Sequence, residues 1–326
     1  MSARINVNTM FRLVLHSMNA VFQIPTILVS RYRPPMRSIL AITASAVLLC
    51  AQAPVKPALE NTGKPMKVTT QCKGEDVLVL GLTCSQEEPC PLFLELSDVE
   101  LVNNHLFVSG NLHTSTATLE SILLSSDDLG KTWTEPFERQ PGAGLDTIQF
   151  IDFEMGWVSG QIQQTLPRDP FLLITSDGGK SWRKRTVSGE SRVGAIEQFR
   201  FESKTAGLLL LDKIQSGENG MRHELYETMT GGESWTLRQV SQKPIPWKYP
   251  KEATAEWRLR ADAPSKSYKI ERRQGERWQS VASFLVSAGE CKPEEKPDEP
   301  PPVAQEEPGP KAPEGPRTPP TLKKKP

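Results

Sequence analysis

A short motif that ends on tryptophan occurs three times in the middle of this chain, and it limits the fold more than any other feature. Its pattern is Ser/Thr-x-Asp-x-Gly-x-Ser/Thr-Trp, and each copy follows an apolar run of the kind that forms β-strands. Successive tryptophans lie 49 and 53 residues apart. Self-similarity at a fixed period of this length indicates one supersecondary unit repeated along the chain.

The three copies differ in how much of the pattern they keep. The first copy comprises Ser126, Asp128, Gly130, Thr132 and Trp133. The second comprises Thr175, Asp177, Gly179, Ser181 and Trp182. The third comprises Thr228, Gly232, Ser234 and Trp235, with Thr230 in the place of the aspartate. A fourth and much decayed copy, within residues 268–278, keeps only Gly275 and Trp278.

The residue types of the motif suit a stabilised turn. A carboxylate can accept hydrogen bonds from the backbone N–H groups of its own turn, and a small hydroxyl residue can bond locally in the same way. The glycine can take a positive φ that a side chain would oppose. The tryptophan then packs onto the sheet. We therefore expect all of the motif residues to serve structure, with no ligand required.

This pattern resembles the Asp-box, or bacterial neuraminidase repeat, of sialidases and several non-enzymatic propellers. Residues 98–112, 145–162 and 193–211 resemble blade units of the photosystem II stability and assembly factors. The resemblance covers roughly residues 90–286. It implies an all-β fold: a β-propeller of about four (incomplete, or five) four-stranded antiparallel blades. Each box then forms a hairpin between the last two strands of its blade.

The N-terminal segment, residues 1–53, has the composition of a leader. Residues 36–53 combine a basic start, a short apolar run and an Ala-x-Ala ending, which is the pattern of a secretory signal peptide with Met36 as the true start. A lipoprotein signal that modifies Cys50 is the alternative. Such signals have a small residue directly before the cysteine, where this chain has the bulky Leu49. We expect an exported protein, located in the periplasm, in the cell envelope or outside the cell.

Two further segments flank the expected propeller, which we place at residues 70–291. Residues 54–69 read as a linker. Residues 292–326 contain 12 of the 28 prolines, interleaved with Glu, Asp and Lys. Such a composition cannot bury enough apolar surface to offset the entropy of ordering, so it predicts a disordered, extended tail.

The cysteines support export. Four remain after the leader: Cys72, Cys84, Cys90 and Cys291. An even number fits disulfides in an oxidising compartment, with three possible connectivities. Because Cys72 precedes the first strand-like run, "EDVLVLGLT", and Cys291 follows the last, we expect these two to pair and Cys84 to pair with Cys90. Pairing of Cys291 with Cys84 or Cys90 is the competing arrangement. No Cys-x-x-Cys occurs, which argues against a zinc site, and we expect no metal.

The enzymatic interpretation is a sialidase, and the sequence argues against it. The resemblance implies a tyrosine nucleophile, a glutamate partner and three convergent arginines, usually with an Arg-Ile-Pro signature. That signature is absent from the propeller region. Of the tyrosines beyond the leader, Tyr226 lies on a predicted hairpin strand, and Tyr249 and Tyr268 lie in the most decayed repeat. Arginines such as Arg183, Arg185, Arg192 and Arg200 occupy predicted strands near the boxes.

The sequence therefore predicts a non-catalytic propeller that binds a protein partner or serves as an assembly scaffold. A glycan-binding module, or a sialidase-like exo-glycosidase, is the alternative. Polar loops at residues 163–170 and 213–224 are the expected binding surfaces. The chain contains 39 basic and 39 acidic residues, so its formal net charge of zero gives no reason to expect a nucleic acid. No cofactor is expected, and the only membrane contact would be through a lipid on Cys50.

Overall fold

The computed structural model describes residues 58–72, 74–213, 222–247 and 256–292. The leader, the proline-rich tail, most of the 213–224 loop, and the residues Cys50 and Tyr249 lie outside the described residues. Across the described ranges the chain forms seventeen strands and one short helix. Most strands belong to four antiparallel sheets, each of consecutive hairpins. This is a β-propeller built of blades, as the boxes predict.

Blade I is the most heavily connected sheet. It contains β2 (Cys90–Val102), β3 (His105–His113) and β4 (Thr118–Ser126). The short β5 (Thr132–Trp133) follows, joined to β4 by a bridge from Ser125 to Thr134. Two strands from the ends of the fold add to this blade. β1 (Leu59–Glu60) pairs with β5, and β17 (Ser287–Cys291) pairs with the start of β2.

Blades II and III each have four strands in sequence order. Blade II contains β6 (Ala143–Phe150), β7 (Gly156–Gln163), β8 (Pro167–Thr175) and β9 (Arg183–Thr186). Blade III contains β10 (Ala195–Phe201), β11 (Gly207–Asp212), β12 (His223–Thr228) and β13 (Thr236–Ser241). Their hairpins follow from the apolar alternation of the sequence, broken by glycine and Asp/Ser turns.

Blade IV differs from the expected four-stranded form. Within the described residues it has three strands: β14 (Trp257–Asp262), β15 (Ser267–Gln274) and β16 (Arg277–Leu285). The decayed fourth motif is a tight hairpin, in which Gln274 pairs with Arg277 and Gly275 has a φ of 61°. Trp278 lies half-exposed under the Arg258 guanidinium, 4.2 Å from the ring centre. This hairpin lacks the box.

Three hydrophobic clusters join neighbouring blades. Trp133 and Phe284 meet edge to face, 5.3 Å apart, between blades I and IV. Phe107 and Trp182 also meet edge to face, between blades I and II, with their ring centres 5.9 Å apart. Trp157 stacks on Phe201 at 3.7 Å between blades II and III. Each contact buries large aromatic area, which is the main stabilising contribution between sheets. In the described ranges no such cluster contains residues of both blade III and blade IV.

The two ends of the fold meet at blade I. We call the pairing of β17 with β2 the seam. A disulfide joins Cys72 to Cys291 beside it, with the Cα atoms 5.0 Å apart, and a second joins Cys84 to Cys90. This is the connectivity that the sequence favours. A propeller needs such a closure because its first and last sheets otherwise present unpaired edges.

Two N-terminal segments differ from the sequence expectations. The run "EDVLVLGLT" is not a strand: it contains a six-residue helix, α1 (Gly74–Val79), with Leu78 and Val79 largely exposed. Residues 58–69, assigned above to a linker, supply β1 and the buried side chains of Met66 and Val68. Met66 forms a parallel bridge to Phe284 of blade IV, so this segment fills the groove between blades IV and I.

Candidate functional site

The two intact boxes form the same turn, held by one carboxylate. In the first, Asp128 accepts hydrogen bonds from the backbone N–H groups of Lys131 and Thr132 at 2.9 and 2.8 Å, and from the Ser126 and Thr132 hydroxyls, both at 2.8 Å. Burial alone would raise the pKa of Asp128, but these donors outweigh it and lower the pKa to about 2. The carboxylate therefore acts as a fixed acceptor within its own turn.

The second box repeats this network around Asp177. Its carboxylate accepts from the Thr175 hydroxyl at 2.8 Å and from both the N–H and the hydroxyl of Ser181, at 3.0 and 2.5 Å. Burial works against ionisation, yet the serine and threonine donors lower the pKa of Asp177. The indole N–H of Trp182 donates to the Gly179 carbonyl at 3.0 Å. The carboxylate of Asp177 and the indole N–H of Trp182 thus both bond to groups of the box itself.

The third box keeps the same fold with different chemistry. The Thr230 hydroxyl stands where the carboxylate would be, accepts the Ser234 N–H at 3.0 Å and lies 3.0 Å from the Ser234 hydroxyl. The Thr228 hydroxyl still accepts the Gly232 N–H, at 3.1 Å, as its counterparts do in the intact boxes. A single neutral oxygen therefore replaces two anionic ones. Trp235 is only half-buried here.

Each box glycine lies against the preceding blade. Gly130 has a φ of 92°, and a Cβ added to it would stand 2.9 Å from the Val281 side chain of β16. Gly179 has a φ of 83° and lies on the ring of Phe107 in β3. Only glycine permits both the left-handed backbone and the close approach. The box glycines therefore lie in close contact with the neighbouring blade.

A shallow groove of about 440 Å³ opens at the end of the blades that carries the boxes. We call this end the box end. The groove lies between the first hairpin turns of blades I and II and the second box, and its lining includes His105, Phe153, Asp177 and Lys180. Phe153 is 66% exposed and Met229, in the third box, is 65% exposed. An exposed phenylalanine beside a polar groove is typical of a binding surface.

A second polar group lies where blades I and II meet. Glu95 of β2 pairs across the sheet with Asn111 of β3, whose amide nitrogen donates to it at 3.4 Å. In blade II the Gln161 amide nitrogen donates to Asp146 at 2.8 Å. The Ser109 hydroxyl of blade I donates to the backbone carbonyl of Asp146. We call Glu95, Asn111, Asp146 and Gln161 the interblade cluster.

The cluster contains acceptors that have no donor. The side-chain oxygens Oδ1 of Asn111 and Oε1 of Gln161 are buried without a hydrogen-bond partner, and the two side chains are only 4% and 5% exposed. Burial and the charge of Glu95 together raise the pKa of Asp146. Within the described part of the chain, neither Glu95 nor Asp146 forms an ion pair. Unpaired buried acceptors of this kind are costly, so they call for an explanation.

A tyrosine, a glutamate and an arginine, residue types that a sialidase site combines, meet in blade III. The Tyr226 hydroxyl donates to Glu224 at 2.7 Å, and Arg192 contacts both groups, 2.7 Å from the Glu224 carboxylate. The Lys213 ammonium group, a second cation, lies 3.1 Å from the Glu224 carboxylate. Burial and the neighbouring Glu224 charge raise the pKa of Tyr226, so the phenol is held protonated. Tyr226 is 6% exposed, which leaves little room for a sugar.

The remaining candidate residues are dispersed. Arg183 and Arg185 both pair with Glu233 of the third box. Tyr268 lies half-buried in β15, where burial and the charge of Glu95 raise its pKa. Among the described residues no three His, Cys, Asp or Glu side chains are placed to bind a metal, and no helix there is long and apolar enough to cross a membrane.

Comparisons with known proteins give structural matches only. No protein-family model matches the sequence, and no curated protein matches it. Three solved structures are similar: YCF48 bound to a D1 peptide, the GH74 xyloglucanase from Xanthomonas campestris, and the α-L-arabinanase of Penicillium chrysogenum complexed with arabinobiose. Sequence identities are 15%, 12% and 13%, with TM-scores of 0.35, 0.32 and 0.30.

The matches are partial on both sides. They cover 59%, 56% and 69% of this chain, and 56%, 28% and 66% of the respective structures. The chain thus spans just over half the length of the YCF48 structure. The blades and boxes described above carry the fold assignment.

The sequence analysis missed the interblade cluster, although a signal for it exists. Blade I contains Val-Ser-Gly-Asn at residues 108–111, and blade II contains Val-Ser-Gly-Gln at residues 158–161. Both glycines let the first strand of the blade approach closely, since a Cβ at Gly110 or Gly160 would strike a backbone carbonyl of that strand. The repeat therefore places an amide side chain at the same point of two neighbouring blades.

Proposed function

We propose that this chain is an exported, non-catalytic Asp-box propeller that binds a protein partner at its box end. The observation that carries the proposal is the exposed Phe153 beside the groove at that end. An aromatic side chain that is 66% exposed gains about 1–2 kcal/mol or more when a partner covers it, and aromatic anchors dominate protein interfaces.

The neighbouring turns extend this surface. The side chain of Met155, two residues beyond Phe153, lies against the third box at Gly231, and Met229 projects from that same box. Methionine adapts to irregular partner surfaces because its chain is flexible and polarisable. Lys204 forms ion pairs with Asp152 and Glu154 beside it, so the apolar side chains are bordered by charge. An apolar centre with a polar rim is the usual composition of an interface.

Affinity capture with the exported protein as bait tests this proposal. Phe153→Ser should lose the partner that the wild type retains, and Met229→Ser should weaken the capture. Leu237→Ser is the matched control, because Leu237 is an exposed apolar residue of β13 in blade III. Capture that is unaffected by Phe153→Ser, or equally reduced by Leu237→Ser, would contradict a binding surface at the box end.

A sialidase-like hydrolase is the second candidate, and the contact of Tyr226 with Glu224 and Arg192 favours it. A fluorogenic sialoside assay distinguishes the two. We expect no turnover above background, because the Tyr226 phenol is buried and its pKa is raised. Turnover by the wild type that Tyr226→Phe abolishes would replace the binding proposal with an enzymatic one.

A further inference from the structure

A second pocket, with a volume of about 310 Å³, lies between blade IV and the first box. One wall is the first box itself, at Leu129, Gly130 and Lys131, with Asn61 of the N-terminal segment beside it. The other wall belongs to blade IV and consists of Trp257, Arg272, Gln274, Gln279, Ser280 and Val281. We call this space the blade IV pocket. None of the residues that line it is acidic.

The register of blade IV places three of these residues in one row. Trp257 lies opposite Arg272 across β14 and β15, and Arg272 lies opposite Gln279 across β15 and β16. Directly opposite residues of antiparallel strands share a face of the sheet, with their Cβ atoms about 4.5–5.5 Å apart. Trp257 belongs to the same hydrophobic cluster as Trp133 of blade I, so this face is the one turned toward the first box. Strand pairing therefore brings the row together at the pocket.

The pocket has uncompensated positive charge. In the described residues neither Lys131 nor Arg272 forms an ion pair, and both side chains contain donors only. On the opposite face of the same sheet, by contrast, Arg258 is neutralised by Glu271 at 2.7 Å. The Asp128 carboxylate, in the first box, is already bonded to the N–H groups of its own turn. The two free cations therefore favour an anionic ligand.

Trp257 adds a buried donor that lacks an acceptor. Its side chain is 8% exposed, and its indole Nε1 is buried without a hydrogen-bond partner. The indoles of Trp133 and Trp182 each donate to a glycine carbonyl. A buried polar group without a partner in a native structure calls for an explanation, such as a bound ion or water. The Arg272 guanidinium lies over the Trp257 ring, 5.7 Å from its centre, so an anion held by Arg272 lies beside the indole.

We propose that the blade IV pocket binds the phosphate group of a small molecule, with Arg272 and Lys131 as its cationic partners and the Trp257 N–H as a further donor. A phosphate group carries a charge of about −1.5 to −2 at pH 7 and has three strong acceptor oxygens, which matches two free cations. A carboxylate has one charge and two oxygens, so it would leave one cation unpaired. Arginine binds phosphate through two parallel hydrogen bonds, and lysine binds it as a point charge.

The remaining lining suits the body of such a molecule. Gln274, Gln279 and Ser280 are exposed at the pocket and can form hydrogen bonds with hydroxyl groups. Leu129 and Val281 are half-buried and form an apolar wall. A volume of about 310 Å³ lies within the range of small-molecule sites. The pocket therefore has room for a free phosphate ion and for a phosphate ester of a glycerol or a single sugar.

Titration of the ¹⁵N-labelled full chain, followed through its indole N–H signals, tests the site. At about pH 7.5 a phosphate monoester is mostly dianionic. Glycerol 3-phosphate at constant ionic strength should shift the Trp257 signal, which Trp257→Phe identifies, and leave the Trp133 and Trp182 signals unchanged. Inorganic phosphate, titrated in the same way, distinguishes the two sources: tighter binding of glycerol 3-phosphate indicates an ester, and equal affinities indicate free phosphate. Glucuronate, a carboxylate of similar size, should bind at least tenfold more weakly.

Variants make the result specific. Arg272→Gln should weaken glycerol 3-phosphate binding at least tenfold, because it removes the bidentate cation. Arg277→Gln is the matched control: Arg277 is an exposed arginine of the same blade, outside the pocket lining, and its loss should leave the affinity unchanged. If Arg272→Gln fails to fold, Lys131→Gln serves in its place and should also weaken binding. An unshifted Trp257 signal in the wild type, equal affinity for glucuronate, or an equal loss in Arg277→Gln would overturn the proposal. None of these results depends on a protein partner.

Discussion

Blade I and blade III carry the same repeat and differ in how they are held. Blade I lies between two neighbours, receives β1 and β17 from the ends of the fold and has the Cys72–Cys291 bridge beside it. Blade III packs on blade II, and its last strand, β13, is exposed along most of its length, including Leu237 and Val240. Its box has lost the aspartate. The comparison indicates that blade I is held by its neighbours, by added strands and by a covalent bridge, whereas blade III is held mainly by its packing on blade II.

The difference is visible in what each box touches. The first box meets β16 through Gly130 and Asn61, whose amide donates to both the Gly130 and the Val281 carbonyls at 2.8 Å. In the third box the indole of Trp235 meets Phe201 edge to face at 6.0 Å, and one side of it is open to solvent. The donors to the central oxygen are exposed in all three boxes, so water can satisfy them where the carboxylate is absent. Thr230 is therefore tolerated.

The largest expected effect concerns the bridge beside blade I. Cys72→Ser/Cys291→Ser should lower the free energy of unfolding by about 5 kcal/mol, because the bridge closes a loop spanning 219 residues. Cys84→Ser/Cys90→Ser is the matched control and should cost about 2 kcal/mol, since its loop spans only 6 residues. Urea denaturation of the oxidised proteins measures both. An equal loss of unfolding free energy in the two double variants would show that the Cys72–Cys291 bridge stabilises the fold no more than the Cys84–Cys90 bridge does.

The tryptophans give the next contrast. Trp182→Ala should cost about 3–5 kcal/mol, because Trp182 is 9% exposed and contacts Phe107 and Phe150. Trp235→Ala should cost about half as much, since the ring is only half-buried. Thermal and urea unfolding of both variants provide the comparison. A larger loss for Trp235 would mean that blade III is held more tightly than its exposed surface indicates.

The central oxygen of each box gives a smaller contrast. Asp128→Ala should lower the stability by about 1–3 kcal/mol, because it leaves the N–H groups of Lys131 and Thr132 without their acceptor. Thr230→Ala removes one neutral hydroxyl and should cost about 1 kcal/mol or less. Hydrogen exchange at Thr132 and Ser234 reports the same difference locally. Equal costs would mean that the carboxylate adds nothing to the turn beyond a hydroxyl.

The sequence predicts the blades well because their hairpins are local. A box is complete within eight residues, and its hydrogen bonds join groups two to four residues apart, so its spacing specifies its geometry. The helix α1 was not predicted because a short apolar run has no distinguishing period, and here Leu78 and Val79 of that run stay exposed. The order of the cysteines favoured the observed disulfide pairing but left Cys291 with Cys84 or Cys90 as an alternative.

The repeated Val-Ser-Gly-Asn/Gln marks the two amides of the interblade cluster, but their acidic partners depend on β-sheet register and bulges and could not be predicted. The first strands of blades I, II and III each shift register at matching points, at Ser97, at Asp146 and Thr147, and at Glu197. Such β-bulges redirect a side chain without a reliable mark in one sequence. The bulge in β6 lies beside blade I, where the backbone carbonyl of Asp146 accepts the Ser109 hydroxyl. Residues 37 positions apart are thereby placed in contact.

The smallest expected effect is a pH dependence that follows the acidic boxes. The pKa of Asp128 is about 2 in the folded chain, below the ordinary value of about 3.9. A carboxyl with a lowered folded-state pKa contributes stability that is complete above about pH 4 and is lost as the pH falls toward 2. Because Asp128 is partly open to solvent, this contribution should be about 1 kcal/mol. The pKa of Asp177 is lowered in the same direction. The Thr230 hydroxyl does not titrate.

Urea denaturation between pH 2 and pH 6 measures this contribution. Asp128→Asn should flatten the decline of stability between pH 4 and pH 2, since the amide keeps the shape of the side chain and does not titrate. Thr230→Asp is the reciprocal change: it offers a carboxylate to the Ser234 N–H and hydroxyl that now meet Thr230. It should steepen the acid decline by a comparable amount and stabilise blade III near pH 7. If Thr230→Asp leaves the pH profile unchanged, the third box is too exposed to solvent for a carboxylate to stabilise its turn. The threonine is then explained by the solvent exposure of blade III.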